Sequence, residues 1–426
     1  MTYPEAIQFL YDLRMFGAKF GLENTLKLAA LAGSPQEKLR FIHVAGTNGK
    51  GSTCAMLESI YRTAGLKVGL FTSPHLVSFA ERIQVNRQLI PESDVVRLVD
   101  EMKLLLQNFP AHEHPTFFEV VTVMALKYFA EHNCDLVIWE TGLGGRLDST
   151  NIVTPLVSVI TNVQLDHQKW LGETLPEIAF EKAGIIKAGI PVITAAEEPD
   201  ALRVIRETAR EKDSPLTELA TEKDSFVQAI ALPLLGEHQK SNATLAVGTV
   251  RLLRAVIPIS DELIRRGLET TYWPGRLHVF KKGAQTFILD GAHNLAGVEC
   301  LSKTVQQLFP SKRPALILGV LSDKNWEAMS QQLAPLADKI LLVPVQSERT
   351  TDPATMIEIC RRGNPRAEIA ACDSLADAIE RAIQEPLVVI TGSLYLIGEA
   401  MELLGISPAK SERGLNEWQA ATSKEK

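Results

Sequence analysis

The sequence predicts an α/β protein of two domains, each built on a mostly parallel sheet. Three observations carry this. The apolar run Phe41-Ile42-His43-Val44-Ala45 passes straight into the turn Gly46-Thr47-Asn48-Gly49-Lys50-Gly51-Ser52 and then into a helix-compatible segment, an order that aims several backbone N–H groups at one point. The continuous apolar run Leu136-Val137-Ile138-Trp139 reads as a strand buried on both faces. From residue 286 onward, short apolar runs alternate with helical periodicity, as in a second parallel-sheet domain.

Composition narrows the class. A chain of 426 residues has room for about two to three domains, each with its own core. With 46% apolar and 22% charged residues, it falls close to globular averages. The net charge of −7 is spread along the chain and offers no basic face for nucleic acid. Five cysteines (Cys54, Cys134, Cys300, Cys360, Cys372) lie far apart with no C-x-x-C pair. They read as reduced thiols rather than a disulfide frame or zinc site. The N-terminus carries Glu5 and Asp12 and shows no secretory signal. No apolar run reaches the roughly 18 residues of a membrane span. A soluble, cytoplasmic protein is expected, and a monomer.

Taken in order, residues 1–40 show helical spacing (Ile7, Leu10, Tyr11, Leu13, then Leu26, Leu28, Leu31), with Gly17 and Gly21 marking a loop between. A helix over 53–64 stops at Gly65, and a strand over 67–72 closes a β-α-β unit. Ser73-Pro74-His75 then sits at the strand's C-terminal end, where open α/β sheets hold ligands. Helices follow over 92–107 and 117–131. The strand over 136–139 ends in Glu140. Another strand over 156–161 has Asp166-His167 just beyond it, and a helix over 175–182 leads to a strand over 190–194. Residues 195–235 are less regular. Helices over 241–255 and 261–270 precede Trp273-Pro274-Gly275-Arg276, which reads as a linker. The domains are therefore set at 1–273 and 274–426. In the second, strands over 286–290, 315–320, 340–345, 368–371 and 387–391 alternate with helices such as 325–336 and 374–384, a smaller Rossmann-like sheet. The tail after Ala409 is polar and expected to fray.

The glycine turn is a phosphate-loop candidate, which makes the first domain an ATPase-type domain. Lys50 adds a mobile positive charge and Ser52 a hydroxyl suited to magnesium. The general pattern G-x-x-x-x-G-K-[ST] wants glycine at 44 and Ser or Thr at 51, where Val44 and Gly51 stand. On spacing alone it is a variant. Glu140 taken alone reads as a salt-bridged or solvated glutamate; beside the glycine turn and Ser73 at equivalent strand ends, it reads as a magnesium ligand. His167 is a soft donor for magnesium and by itself reads as a capping or core histidine. Lys182 reads as an exposed helix lysine. Asp290-Gly291-Ala292-His293-Asn294 fits either a ligand edge or an Asx turn with a helix cap. Arg276 fits either a phosphate clamp or an ion pair.

Together these segments resemble the folylpolyglutamate synthase family, which includes bifunctional dihydrofolate synthases, within the wider group of muramyl-type ATP-dependent ligases. The resemblance runs from Phe20-Gly21-Leu22-Glu23-Asn24 to Gly392-Ser393-Leu394-Tyr395-Leu396. It rests on GTNGKGS at 46–52, TSPHL at 72–76, ETGLGGRLDSTN at 140–151, Leu165-Asp166-His167, EKAG at 181–184, WPGRL at 273–277 and DGAHN at 290–294. GTNGKGS is that family's own phosphate loop, which accounts for the mismatch with the general pattern. One departure is Thr141, where the family usually has a small apolar residue.

The resemblance implies ATP phosphates on Gly49, Lys50, Gly51 and Ser52, with further ATP contacts from Asn242, Arg276 and Asp290. It implies magnesium on Ser52, Ser73, Glu140 and His167, and a carbamate on Lys182 facing a second metal. Thr116, Phe117, Phe118, Glu119, Leu147, Asp148 and Ser149 match segments that hold the pterin substrate. His293 and Ser393 resemble residues near the incoming glutamate. The candidates for the reacting centre are then Lys50, Lys182, Asp290 and His293. The implied reaction is ligation of L-glutamate to folate, and to dihydropteroate, through an acyl phosphate, with magnesium and Lys50 offsetting charge on the transferred group. A carbamate needs the neutral amine, so Lys182 is expected to be buried with a lowered pKa. A muramyl-peptide ligase would use the same core reaction but carries a nucleotide-sugar domain before its phosphate loop. A phosphate-loop switch protein would carry an N-K-x-D motif, which this sequence lacks, and a simple kinase leaves the second sheet unexplained.

Overall fold

Phe41–Ala45 (β1) and Leu136–Glu140 (β5) are buried at every residue, as strands covered by helices on both faces must be. The computed structural model describes residues 1–17, 21–219, 224–409 and 412. Phe20 and the tail after Ala409, apart from Glu412, lie outside the described residues. The remaining strands of the first sheet are β2 (Val68–Phe71), β3 (Ile83–Val85), β4 (Gln88–Leu89), β6 (Val157–Ile160), β7 (Val192–Thr194) and β8 (Leu216–Glu218). Their order is β4-β3-β2-β5-β1-β6-β7-β8. β1 runs parallel to β5 on one side and β6 on the other, and β2 runs parallel to β5. The β-α-β unit expected from the sequence therefore has β5 inserted between its two strands. The consequence is functional: the C-terminal ends of β2, β5, β1 and β6 stand side by side along one edge.

The second sheet contains β9 (His278–Lys282), β10 (Gln285–Asp290), β11 (Ala315–Leu318), β12 (Lys339–Leu342), β13 (Glu368–Ala371) and β14 (Leu387–Thr391), in the order β13-β12-β11-β14-β10-β9. Only β9 pairs antiparallel in this sheet. Its apolar layers form on either face, one around Ile288, Leu316 and Val389, the other around Phe287, Ile317 and Val388. Alternate residues of the same strands thus enter opposite layers, as the two-residue period requires.

The strands that the sequence left out, β3, β4, β8 and β9, lie at or next to sheet edges. β3 and β4 form a hairpin whose turn residues Asn86 and Arg87 have φ of 50° and 66°, the left-handed pair of a tight hairpin turn. β8 and the helix Pro199–Glu211 fill the stretch read as irregular. The helix expected over 241–255 is instead Glu237–Leu252, and that over 53–64 is Lys50–Thr63. The chain divides into two units. The first is Met1–His75, Phe79–Pro233 and His238–Tyr272; the second is Leu76–Ser78, Leu234–Glu237 and Trp273–Lys426. Among the described residues, no helix is long and apolar enough to cross a membrane.

Candidate active site

The helix Lys50–Thr63 begins one residue after Gly49, so Lys50, Gly51 and Ser52 form its first turn. Their N–H groups belong to the end of a helix where an anion is favoured. Gly49 has φ of 83°, and a Cβ there would meet the Asn242 amide, with its Cγ 3.1 Å away. Only glycine allows that approach. Asn242 Nδ2 donates to Gln239 Oε1 at 3.0 Å, and Gln239 Nε2 donates to Ser52 Oγ at 3.3 Å. Gln239 and Asn242 are three apart on the helix Glu237–Leu252, hence on one face. Gln239 was not singled out from the sequence. Its signal was available as the i−3 neighbour of Asn242, once the helix is started early enough.

The loop itself is held from β6. Asn48 N–H donates to Asn162 Oδ1 at 2.9 Å, Thr161 Oγ1 donates to Asn48 O at 2.6 Å, and Asn48 Nδ2 donates to Gln164 Oε1 at 2.7 Å. Lys50 Nζ folds back onto the carbonyls of Gly46 and Thr47, at 3.0 and 3.1 Å. Lys182 Nζ donates to the same Gly46 carbonyl at 3.0 Å. Two lysines therefore converge on one oxygen at the mouth of the loop. Lys182 is 3% exposed. Burial, reinforced by the charge of Lys50 and opposed by Asp166 and Asp148, lowers its pKa to about 7.

At the end of β5, Glu140 is 3% exposed, and its Oε2 accepts the Ser73 N–H at 3.0 Å. Ser73 follows β2, the strand next to β5, which is how residues far apart in sequence meet. The next residue, Thr141, is buried; its N–H donates to Val44 O at 3.0 Å, while its Oγ1 has no hydrogen-bond partner among the described residues. His167 sits in the left-handed region with φ of 51°. Its N–H donates to Asp166 Oδ1 at 2.8 Å, and its ring lies 3.9 Å from Asp166 Oδ2 with the side chain 40% exposed. The oxygens of Glu140 and Ser52 are the hard donors magnesium takes, one or two carboxylates alongside phosphate oxygens. Among the described residues no three His, Cys, Asp or Glu side chains gather as a protein-only cage. The residues present fit magnesium held jointly with a phosphate ligand.

The residues matched to the pterin-holding segments already have internal partners. Thr116 caps the helix Phe117–Glu131 in a reciprocal box with Glu119, whose Oε1 also accepts from Thr25 Oγ1 at 3.3 Å. Phe117 stacks on Tyr11 with centroids 5.7 Å apart, and Arg14 and Arg82 lie over its ring at 5.1 and 5.4 Å. Phe118 is half-buried, 5.9 Å from the ring of Phe71. Leu147 is half-buried, and Ser149 Oγ lies 2.7 Å from Thr122 Oγ1. Asp148 is buried, which pushes its pKa up, while donors from Thr150, Leu143 and Gly142 oppose that shift.

In the second unit, Asp290 ends β10 opposite Thr391 of β14, so Ser393 lies at the same sheet edge. Asp290 accepts from Ala292 N–H at 3.0 Å, an Asx turn, and from Leu277 N–H at 2.8 Å. Asn294 and Ser393 cap the helices Leu295–Leu308 and Leu394–Leu404. His293 Nδ1 pairs with Gly291 O at 2.8 Å, and Arg276 Nη1 donates to Gly275 O at 3.1 Å. The capping alternative is thus realised at DGAHN.

Comparison with known proteins decides the family. A family model for the Mur ligase middle domain matches residues 44–250, and one for the Mur ligase glutamate ligase domain matches residues 275–394. The chain is 38% identical to the dihydrofolate synthase/folylpolyglutamate synthase of Bacillus subtilis, over 95% of this chain and 99% of that one. The chain belongs to the folylpolyglutamate synthase family. Its fold agrees: an Escherichia coli member solved with DHPP and ADP superimposes with a TM-score of 0.82 at 30% identity, covering 94% of this chain and 97% of that one. A folylpolyglutamate synthase complex with AMPPCP and folate does so with a TM-score of 0.82 at 32% identity, covering 95% and 100%. Within this family, the two Mur ligase regions correspond to the two sheets described above.

Proposed function

We propose that this chain is an ATP-dependent amide ligase that joins L-glutamate to folates, and to 7,8-dihydropteroate, through an acyl phosphate. The observation that carries the reading is the convergence of Lys50 and the buried Lys182 on the Gly46 carbonyl, with Glu140 and Ser73 joined at the neighbouring strand ends. A carboxylate is a poor electrophile, so ATP must first convert it to a mixed anhydride. The carboxylate oxygen takes the γ-phosphoryl group and ADP leaves; the glutamate amine then attacks the carbonyl and inorganic phosphate departs.

In this reading the N–H groups of Gly49, Lys50, Gly51 and Ser52 orient the triphosphate, and Lys50 leaves its loop carbonyls to meet the γ-phosphoryl. Glu140, Ser52, Ser73 and His167 would hold magnesium, which when bound supplies positive charge to the phosphate oxygens. Lys182, poised near neutrality by its burial, would capture carbon dioxide as a carbamate, releasing a proton and presenting an anion where an amine stood. Asn242, Arg276 and Asp290 contribute to nucleotide binding, and His293 and Ser393 to the glutamate site. Thr116, Phe117, Phe118, Glu119, Leu147, Asp148 and Ser149 surround the pterin. A cytoplasmic monomer completes the reading; cysteines left unpaired are what a reducing compartment favours.

The test is ATP-dependent incorporation of labelled glutamate into tetrahydrofolate and dihydropteroate. Glu140→Ala is expected to lose at least about a hundredfold in kcat, the scale of removing one electrostatic contact to the transition state. Lys182→Ala is expected to be inactive and partly restored by short carboxylic acids. Near-normal rates in Glu140→Ala would remove the metal assignment, and a fully active Lys182→Ala, indifferent to added acids, would remove the carbamate.

A further inference from the structure

His43 stands in the middle of β1, the strand that delivers the phosphate loop, and is completely buried. The chemistry above makes no use of it. Its Nε2 lies 3.0 Å from Thr150 Oγ1, while its Nδ1 has no hydrogen-bond partner among the described residues. Thr150 Oγ1 in turn donates to Asp148 Oδ1 at 2.5 Å. A hydroxyl carries one proton, and this one is committed to the carboxylate. Thr150 can therefore only accept from the histidine, so the ring proton must sit on Nε2. Burial, with a smaller contribution from Lys187, holds the imidazole neutral by lowering its pKa to about 3. The orphan atom is then a lone pair, cheaper to bury than an unpaired N–H or a charge.

The far end of the chain is the loop that follows Glu140. Asp148 Oδ1 also accepts Thr150 N–H at 3.0 Å, and its Oδ2 accepts Leu143 N–H at 2.7 Å. Trp139 Nε1 pins Thr150 from below, donating to its carbonyl at 2.9 Å. Residues 143, 148 and 150 are thus tied through one carboxylate whose rotation is fixed by Thr150.

We propose that His43 is a positioning residue for the acceptor substrate: as the Nε2–H tautomer it orients Thr150 and, through it, Asp148 and the loop 141–150. The inference rests on the pterin role proposed above for Leu147, Asp148 and Ser149. It joins the strand that presents ATP to the loop that presents the acceptor, without His43 touching either.

The experiment has two readouts on the intact protein. The imidazole 15N shifts of His43, assigned by their loss in His43→Gln, report the tautomer at neutral pH; a protonated Nε2 with a bare Nδ1 supports the chain, and a protonated Nδ1 overturns it. Steady-state kinetics then compare substrates. His43→Leu is expected to raise KM for the acceptor about tenfold, the effect of one buried hydrogen bond, with KM for ATP changed less than about twofold. His43→Gln, which restores an amide N–H at the same reach, is expected to recover most of the loss. Equal rises in both KM values, or a Gln variant no better than Leu, would overturn the positioning role. A wild-type protein that ligates no glutamate would overturn the proposed function instead, and the tautomer would still be read.

Discussion

Lys182 occupies an apolar face. Ile178, Ala179 and Ala183 of the helix Leu175–Ala183 are buried with it, and position 182 follows Ile178 by four and Ala179 by three, the spacing of one stripe. Its pKa of about 7, against an ordinary 10.5, fixes the sign of a pH effect. Between those values the unfolded chain binds a proton that the folded chain does not, so this residue's contribution makes stability rise with pH; below about 7 both states hold the proton and the full penalty remains. Lys182→Met is expected to be more stable than wild type at pH 6.5, with the difference shrinking by pH 8.5, as read from urea midpoints. Since only the neutral amine reacts with carbon dioxide, a 13C-carbamate resonance from labelled bicarbonate is expected to grow as pH rises through 7 in wild type and to be absent in Lys182→Met. The residue types at the phosphate loop were legible because glycine, lysine and serine are each tied there to one physical task. Lys182 was found only through the family motif, although the stripe was there to be read. Gln239 and His43 were not found, because what gives them meaning is the partner across space.

The helix Lys50–Thr63 is anchored at its far end by the helix Asp261–Glu269. Ser59 Oγ donates to Gly267 O at 2.7 Å, and a Cβ on Gly267 would lie 2.5 Å from Ile60 Cα. Backbone-to-backbone contact leaves no side chain to move aside, so Gly267→Ala is expected to cost about 1–3 kcal/mol, the range for overpacking. Its effect on ADP affinity is expected to exceed that of an alanine at an exposed position of the same helix, because the displaced helix carries Lys50 and Ser52. Calorimetric titration with ADP and thermal unfolding check both. The buried strands were legible from their continuous apolar runs. The helix Pro199–Glu211 was passed over although Ala201, Ile205 and Ala209 recur every four residues on its buried face, because two of the three are small alanines set among charged neighbours. β3 and β4 were missed because their turn uses Asn86-Arg87 where glycine is the usual signal.

At the scale of the whole molecule, the second unit includes two short excursions from elsewhere in the chain. Val77 is buried in its core beside Ile397 and Ala400, Leu76 packs against the same layer, and Leu235 packs against the other. No local pattern in residues 76–78 or 234–237 marks them as belonging there; their membership follows from packing alone. A fragment of residues 274–426 lacks these pieces and is expected to unfold at lower urea than the second unit does within the full chain, a comparison read from the urea dependence of amide hydrogen exchange in β11 and β14. Equal midpoints would mean the excursions add nothing. Oxygen transfer shows directly what the ATP is for. With a folate acceptor labelled with 18O in its reacting carboxylate, ligation through an acyl phosphate moves one labelled oxygen into the inorganic phosphate released with each glutamate added. One 18O per phosphate is expected, dependent on glutamate. Unlabelled phosphate, or release that proceeds equally without acceptor, would contradict it.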